Sequence, residues 1–305
     1  MAFWGRMAGN SLSGEEMKIR YARYVDGAGH PNLADSFVFL IDLLGTEAAS
    51  AADAKEYLRI THEALARASL WANEADGDRA IARWFSDNLV LAEPCEDTSG
   101  QSHELGFGFS LISAAWVQLE VAMTGLFSRG GLSLGPFFAN EQFVYGPALV
   151  EAHTLESKQA IYPRIVLGST AAQYAMAQLR AFHGGEEEVH RTHLAIDRDG
   201  LPFLNYLAAA WDLGSGALEH VENHKGHIIS HLERYRGEPH IHLKYQWLAD
   251  YHDRFCRAEA ARGKIHASML RDVLIGAIEG DGLVAFGAEV PFPPKEDEDV
   301  IGDLK

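Results

Sequence analysis

The run Phe37-Val-Phe-Leu-Ile41 is apolar at five consecutive positions and ends on Asp42. A strand with one wet face alternates, whereas an unbroken apolar run of this length suits a strand buried on both faces. A sheet is therefore expected, with a central strand at about 36–43. A carboxylate at the end of such a strand costs several kcal/mol to desolvate without a partner. A second one stands in a similar place, in Trp84-Phe-Ser-Asp87-Asn-Leu-Val-Leu91, where Ser86-Asp87-Asn88 reads as the tight turn of a hairpin. Two carboxylates brought together at strand ends repel each other, and a divalent cation is the usual remedy. The pair reads as a metal site that handles a nucleoside triphosphate.

The chain has 305 residues, of which 47% are hydrophobic, enough for one large domain or a domain with an extension. With 26 basic and 43 acidic residues the formal net charge is −17, which argues against nucleic acid or an anionic membrane as partner. A polyphosphate substrate would need local help from metal ions and a few placed cations. Cys95 and Cys256 make neither a disulfide framework nor a CxxC pair, so a reduced, cytoplasmic setting is expected. Met1-Ala-Phe-Trp-Gly-Arg6 lacks an apolar secretory core. The apolar stretch at 111–127 is interrupted by Gln118 and Glu120, too short and too polar to span a bilayer.

Along the chain, 1–33 reads as a polar N-terminal segment with a possible helix near 14–24. Helical spacing follows over 47–74, then a hairpin at 79–92, a long apolar helix at 103–128 and a glycine-punctuated strand from Arg129. Gly146-Pro147 opens a helix to about Ser157. A short strand at 163–167, a helix at 169–183 and a hairpin around Arg198-Asp199-Gly200 complete a unit at 34–210. Residues 211–290 read as a helical extension, and 291–305 as an acidic tail expected to be disordered. The fold class is α/β of the α+β kind: a mixed, mainly antiparallel sheet flanked by helices.

These motifs, in this order, resemble the class III nucleotidyl cyclases, and within them the bacterial pyrimidine cyclases of the Pycsar anti-phage systems. Asp42-Leu-Leu-Gly45 resembles the first metal motif, and Phe85-Ser86-Asp87 the second, at its hairpin turn. Arg129-Gly-Gly-Leu-Ser-Leu-Gly135 is similar to the strand that follows. Tyr145-Gly-Pro-Ala-Leu-Val150 with Leu155-Glu156 resembles the strand-to-helix segment before the dimer-related half-site, and with Tyr162-Pro-Arg-Ile-Val166 it points to the pyrimidine branch. The resemblance covers about 34–207.

It implies conversion of UTP, or CTP, to the 3′,5′-cyclic nucleotide and pyrophosphate, as a second messenger read by a separate effector. UTP is favoured on the family's examples. It also implies two divalent ions (Mn2+ or Mg2+), held by Asp42, Asp87 and the Leu43 carbonyl, and a homodimer. The amides of Leu44, Gly45 and Thr46 would face the triphosphate. Thr46 stands where the family usually has Phe. Neither purine-selecting code is present: the aligned positions hold Arg83, a possible donor to a pyrimidine oxygen, and Phe143, a possible stacking surface. The family's Asn and Arg, four residues apart on a helix, are Val150 and Thr154 here. The transition-state donor must then come from elsewhere, with Arg129, Arg164 and Arg191 as candidates.

Blander readings stand beside these. Asp42 alone suits a strand-end turn, Arg83 an ordinary strand ion pair, and Phe143 plain core. His220, His224, His227 and His231 have helical spacing, with His240 and His242 beyond, a pattern that can bind zinc. No HExxH motif accompanies them, and a packed helix face is the simpler reading. Lys244 is a candidate for closing the site. A non-catalytic, nucleotide-sensing or dimerising module is the alternative function, and a metal-dependent nucleotide hydrolase a third.

Overall fold

The computed structural model describes residues 21–45, 53–74, 80–95, 103–181, 189–212, 216–276 and 285–286. Thr46, most of the N-terminal segment and the acidic tail lie outside them. The strands are β1 (Ala34–Leu43), β2 (Ile81–Phe85), β3 (Asn88–Pro94), β4 (Ser128–Ala139), β5 (Val144–Tyr145), β6 (Ile165–Leu167), β7 (Leu194–Ile196), β8 (Pro202–Leu204) and β9 (Ala285–Phe286). The α-helices are α1 (Ala54–Glu74), α2 (His103–Met123), α3 (Pro147–Lys158), α4 (Ser169–Ala181), α5 (Val189–Thr192), α6 (Ala209–Asp212), α7 (Ala217–Arg234), α8 (Pro239–Ala261) and α9 (Ala267–Val273).

The sheet runs β2-β3-β1-β4-β6-β8-β7-β9, with β5 appended to β4. Every pairing is antiparallel except β4 with β6. This is the mixed, mainly antiparallel sheet with flanking helices that the sequence leads one to expect. β1 is central, between β3 and β4, and its alternate residues feed two cores. Phe37, Phe39, Ile41 and Leu43 join the large core with α2 and the C-terminal helices. Val38 and Leu40 join a smaller core on the opposite face with Ala148 and Ala152 of α3. Gly131 lets α3 lie this close, because a Cβ there would stand 2.4 Å from the carbonyl oxygen of Ala152.

The apolar helix α2 packs inside the fold. Its segment Gly106–Met123 has the length and mean hydropathy (1.3) of a membrane span, yet 72% of that segment is buried by the protein. Its polar residues are answered within the protein: Gln118 donates to the carbonyl of Ser128 at 3.1 Å, and Glu120 accepts from Arg67 of α1 at 2.6 Å. The helix stops at Met123, short of the expected 128, because Gly125 turns the chain at φ 83° into β4. The expected helix near 14–24 falls mostly outside the described residues, and its last part, Ala22–Tyr24, is a 3₁₀ turn. Helices α7 and α8 contribute Val221, Ile228, Tyr245, Trp247 and Phe255 to the large core, continuous with the sheet. The stretch read as wholly helical also supplies β9, which pairs with β7.

Candidate active site

The pleat that buries Val38 and Leu40 carries Asp42 to the same face of β1, at the strand's end. Asp42 is paired with Asn88 of β3 on one side and with Arg129 of β4 on the other. Asp87 sits in the two-residue β2–β3 turn, made possible by Ser86 at a left-handed φ of 55°. The Leu43 amide donates to the Asp87 carbonyl oxygen at 3.1 Å, which pins the turn to the end of β1. Both aspartates therefore face one cleft of about 280 Å³, lined also by Leu43, Leu44, Gly45 and Arg129.

The cleft's charge is unbalanced. Arg129 lies between two carboxylates, with Nε 3.3 Å from Asp42 Oδ2 and a terminal guanidinium nitrogen 2.7 Å from Glu156 Oε1. Burial, then the charge of Glu156, and to a smaller extent that of Asp87, push the Asp42 carboxyl up to about 6, against the opposing pull of Arg129. A bound cation would relieve that repulsion. Among the described residues no group of three or more His, Cys, Asp or Glu side chains could hold a metal ion. The donors that converge here are two carboxylates, with the Leu43 carbonyl as a third candidate from the cleft wall. So few protein ligands suit Mg2+ or Mn2+ completed by substrate oxygens, and do not suit a closed structural site.

The other expected residues are distributed differently. Leu44 and Gly45 line the cleft, and Gly45 takes the φ of 104° that lets the backbone turn beside it, but the Leu44 amide does not face the cleft as expected: it donates to the Phe127 carbonyl at 2.8 Å. Arg83 does not line it: its guanidinium donates to the Asn140 carbonyl at 2.9 Å and to the Tyr21 hydroxyl. Phe143, 52% exposed, packs its ring 5.3 Å from Phe138, outside the cleft. Val150 and Thr154 lie on α3 away from the small core, where the Thr154 hydroxyl donates to the Val150 carbonyl. Of the three arginines considered as donors, Arg129 alone is at the cleft. Arg164 is fully buried and ion-paired with Asp197 and Asp199, while Arg191 reaches towards the Leu179 carbonyl.

His220, His224, His227 and His231 each direct a ring nitrogen to a protein group. His227 and His231 meet the carbonyls of Met123 and Gly125, and His220 that of Gly216. His224 bonds Tyr206 and His252 inside the core.

The far wall of the cleft was not foreseen in full. It comes from the C-terminal helices: Tyr235 at the end of α7, and Ile241, Lys244 and Tyr245 on one face of α8. Only Lys244 among these stood out in the sequence. Glu156 was noticed as part of a motif and not as a site neighbour.

No family model matches the chain, and no curated protein matches it. Among solved structures it is similar to the adenylyl cyclase CyaB from P. aeruginosa, at 14% identity over 57% of this chain and 94% of that one, with a TM-score of 0.41. It is also similar to a bacterial light-regulated adenylyl cyclase, at 11% identity over 64% of this chain and 57% of that one, with a TM-score of 0.39.

Proposed function

We propose that the protein is a nucleotidyl cyclase acting on a pyrimidine nucleoside triphosphate, UTP in preference to CTP, and that its cyclic product serves as a second messenger in defence against phage. The observation that carries the reading is the convergence of Asp42 and Asp87 on one cleft, from β1 and from the turn pinned to it. The pyrimidine assignment and the defence role rest on the ordered motifs and on the absence of either purine-selecting pair at Arg83 and Phe143.

In the reaction the ribose 3′-oxygen forms a bond to the α-phosphorus, the bond to the bridging oxygen breaks, and pyrophosphate leaves. Divalent ions held by Asp42, Asp87 and the Leu43 carbonyl would acidify the 3′-hydroxyl and neutralise phosphoryl charge. The chain's own work is positional and electrostatic, as is usual in phosphoryl transfer. Asp42 and Asp87 fix where positive charge can sit. The Leu44–Gly45 backbone lines the bend beside the phosphates, and Arg129 is the guanidinium nearest the reacting centre. Glu156 holds Arg129 from behind, so its side chain is oriented before substrate arrives.

A homodimer fits the exposed side chains on this face. Phe85, Tyr145 and Val150 are 55%, 63% and 64% exposed, and Phe85 belongs to the same cross-strand row as Asn88, Asp42 and Arg129. A partner there could supply what Val150 and Thr154 lack. The second reading, a non-catalytic nucleotide-sensing module, is favoured by those two residues.

Incubation with each of the four ribonucleoside triphosphates and Mn2+, with products separated by chromatography, tests the proposal. A cyclic pyrimidine nucleotide with pyrophosphate is expected. Turnover of ATP or GTP alone removes the pyrimidine assignment, linear products indicate a hydrolase, and tight binding without turnover supports the sensing module.

A further inference from the structure

The guanidinium of Arg129 is shared unequally between two carboxylates from different elements. It stands 2.7 Å from Oε1 of Glu156 on α3 and 3.3 Å from Oδ2 of Asp42 on β1. We infer that Glu156 is a positioning residue for the cation site: it draws the Arg129 guanidinium towards α3, keeps it from closing onto Asp42, and so leaves the Asp42 carboxylate open to a divalent ion. The inference deepens the cyclase reading and rests on it for the ion at Asp42 and Asp87. It adds a residue that does not itself line the cleft.

Three observations support the assignment. First, Arg129 and Asp42 are directly opposed in the β1–β4 ladder. Side chains opposed in this way lie about 4.5–5.5 Å apart at Cβ, close enough for an arginine to fork onto a carboxylate. The observed bond instead runs through Nε at 3.3 Å, long for a charged pair. Second, Glu156 has the stronger claim on the guanidinium. Its carboxylate is almost wholly buried, whereas Asp42 opens on the cleft. A charge costs more to leave unpaired the less water reaches it, so more is gained by keeping Arg129 at Glu156. A further neighbour, His153, has Nδ1 3.5 Å from Glu156 Oε2, but it is exposed and carries charge only when protonated. Third, the backbone beneath Glu156 is fixed. Helix α3 lies against β4 across Gly131, where a Cβ would stand 2.5 Å from Leu155 Cβ, and Glu156 is the next residue. The contact at Oε1 lacks an aligned N–H···O bond, so charge holds Arg129 there and removal of charge alone should release it.

The test is a titration of the full-length protein with Mn2+ alone, followed by electron paramagnetic resonance, so that neither nucleotide nor turnover is needed. Glu156→Gln keeps the size of the side chain and removes its charge. It is expected to weaken Mn2+ binding about tenfold, the scale of one charge-assisted contact between Arg129 and Asp42 that the ion must then break. Arg129→Gln removes the competitor and should bind Mn2+ at least as tightly as the wild type. Glu156→Gln added to that variant should cost less than about twofold, since nothing is left to release. Wild-type affinity in Glu156→Gln, or equal weakening with and without Arg129, overturns the inference, the second because Glu156 would then act by its charge alone. A crystal structure of metal-free Glu156→Gln reads the same point without Arg129→Gln, should that variant fail to fold: Arg129 forked onto Asp42 is expected, and a guanidinium still turned to α3 overturns the inference. Mn2+ binding that depends on Glu156 through Arg129, with no cyclic product from any ribonucleoside triphosphate, upholds the inference and removes the cyclase reading instead. Cyclic product from a protein whose Mn2+ affinity ignores Glu156 removes the inference and leaves the cyclase reading standing.

Discussion

Leu43 donates its backbone amide to the carbonyl oxygen of Asp87 at 3.1 Å, so the turn carrying one carboxylate is fixed against the strand carrying the other. Two side chains 45 positions apart in sequence become neighbours through a backbone bond that does not depend on either of them. Asp42→Asn and Asp87→Asn should therefore fold normally while losing their charge at the cleft. Each is expected to cut turnover by at least about a hundredfold, the scale of losing one electrostatic clamp on a transferring phosphoryl group. Each should also weaken Mn2+ binding, measured by electron paramagnetic resonance. Unchanged Mn2+ affinity in both variants would remove the aspartates from the metal site.

Gly131 is a position where a single methyl group would disturb the contact between β4 and α3. A Cβ would fall 2.4 Å from Ala152 O and 2.5 Å from Leu155 Cβ, both on α3. Gly131→Ala should push α3 off β4 and cost about 1–3 kcal/mol, the range for overpacking, with turnover reduced because Glu156 and Arg129 separate. Gly135→Ala is the matched control: its Cβ would lie 3.9 Å from Ala148 Cβ, an ordinary contact. Urea unfolding of the two variants reads the difference. Equal stability would mean that α3 is free to adjust.

The halves of this site differed in how legible they were. Asp42 and Asp87 could be read because strand periodicity fixes which side a residue points to, and a turn sequence fixes where a hairpin reverses. The succession along the chain of β1 to β4 and of β6 to β8 followed from the same local signals, whereas β5, two residues long, did not. The partners of Arg83 could not be read, since Asn140 lies 57 positions away and its contact depends on the packing of the β4–β5 turn. The face of α8 is visible as a helical stripe, but a stripe does not say what it faces, so of the cleft's far wall the sequence marks Lys244 as a candidate and leaves Tyr235 and Ile241 unmarked. β9, two residues long, carries too little pattern to stand out from its surroundings.

His224 and His252 stack inside the helical part with ring centroids 5.1 Å apart and their Nδ1 atoms 2.9 Å apart. His252 Nε2 faces the Val273 carbonyl at 3.0 Å, so it carries the hydrogen. His252 Nδ1 then accepts from His224 Nδ1, and His224 Nε2 accepts from the Tyr206 hydroxyl at 2.6 Å. The chain of bonds requires both rings to be neutral. Burial holds both rings below the usual histidine range, with the charge of His252 and then that of His227 adding to it at His224, and Lys225 opposing the Val273 carbonyl and Asp253 at His252. A folded value below the unfolded one means that stability is complete above the unfolded pKa of about 6.5 and is lost as pH falls towards the folded values. The melting temperature should therefore decline from pH 7 to pH 5. His224→Gln should show a shallower decline, and a wild-type profile flat across that range would contradict the neutral pair.

Arg164 joins the sheet to α8 through charge and ring contacts together. Its guanidinium pairs with Asp197 and Asp199, and its Cζ stands 5.6 Å from the Tyr162 ring centroid and 5.9 Å from that of Trp247, which itself donates to Asp197. Asp197 is almost wholly buried, so Arg164→Met strands a carboxylate in the core. Breaking a buried pair in this way costs about 3–5 kcal/mol. Asp197→Asn removes the stranded charge while keeping an acceptor for Trp247. The double variant Arg164→Met/Asp197→Asn should accordingly be more stable than Arg164→Met alone, a sign that additivity cannot produce if both single changes destabilise. Urea unfolding of the four proteins in the cycle gives the coupling.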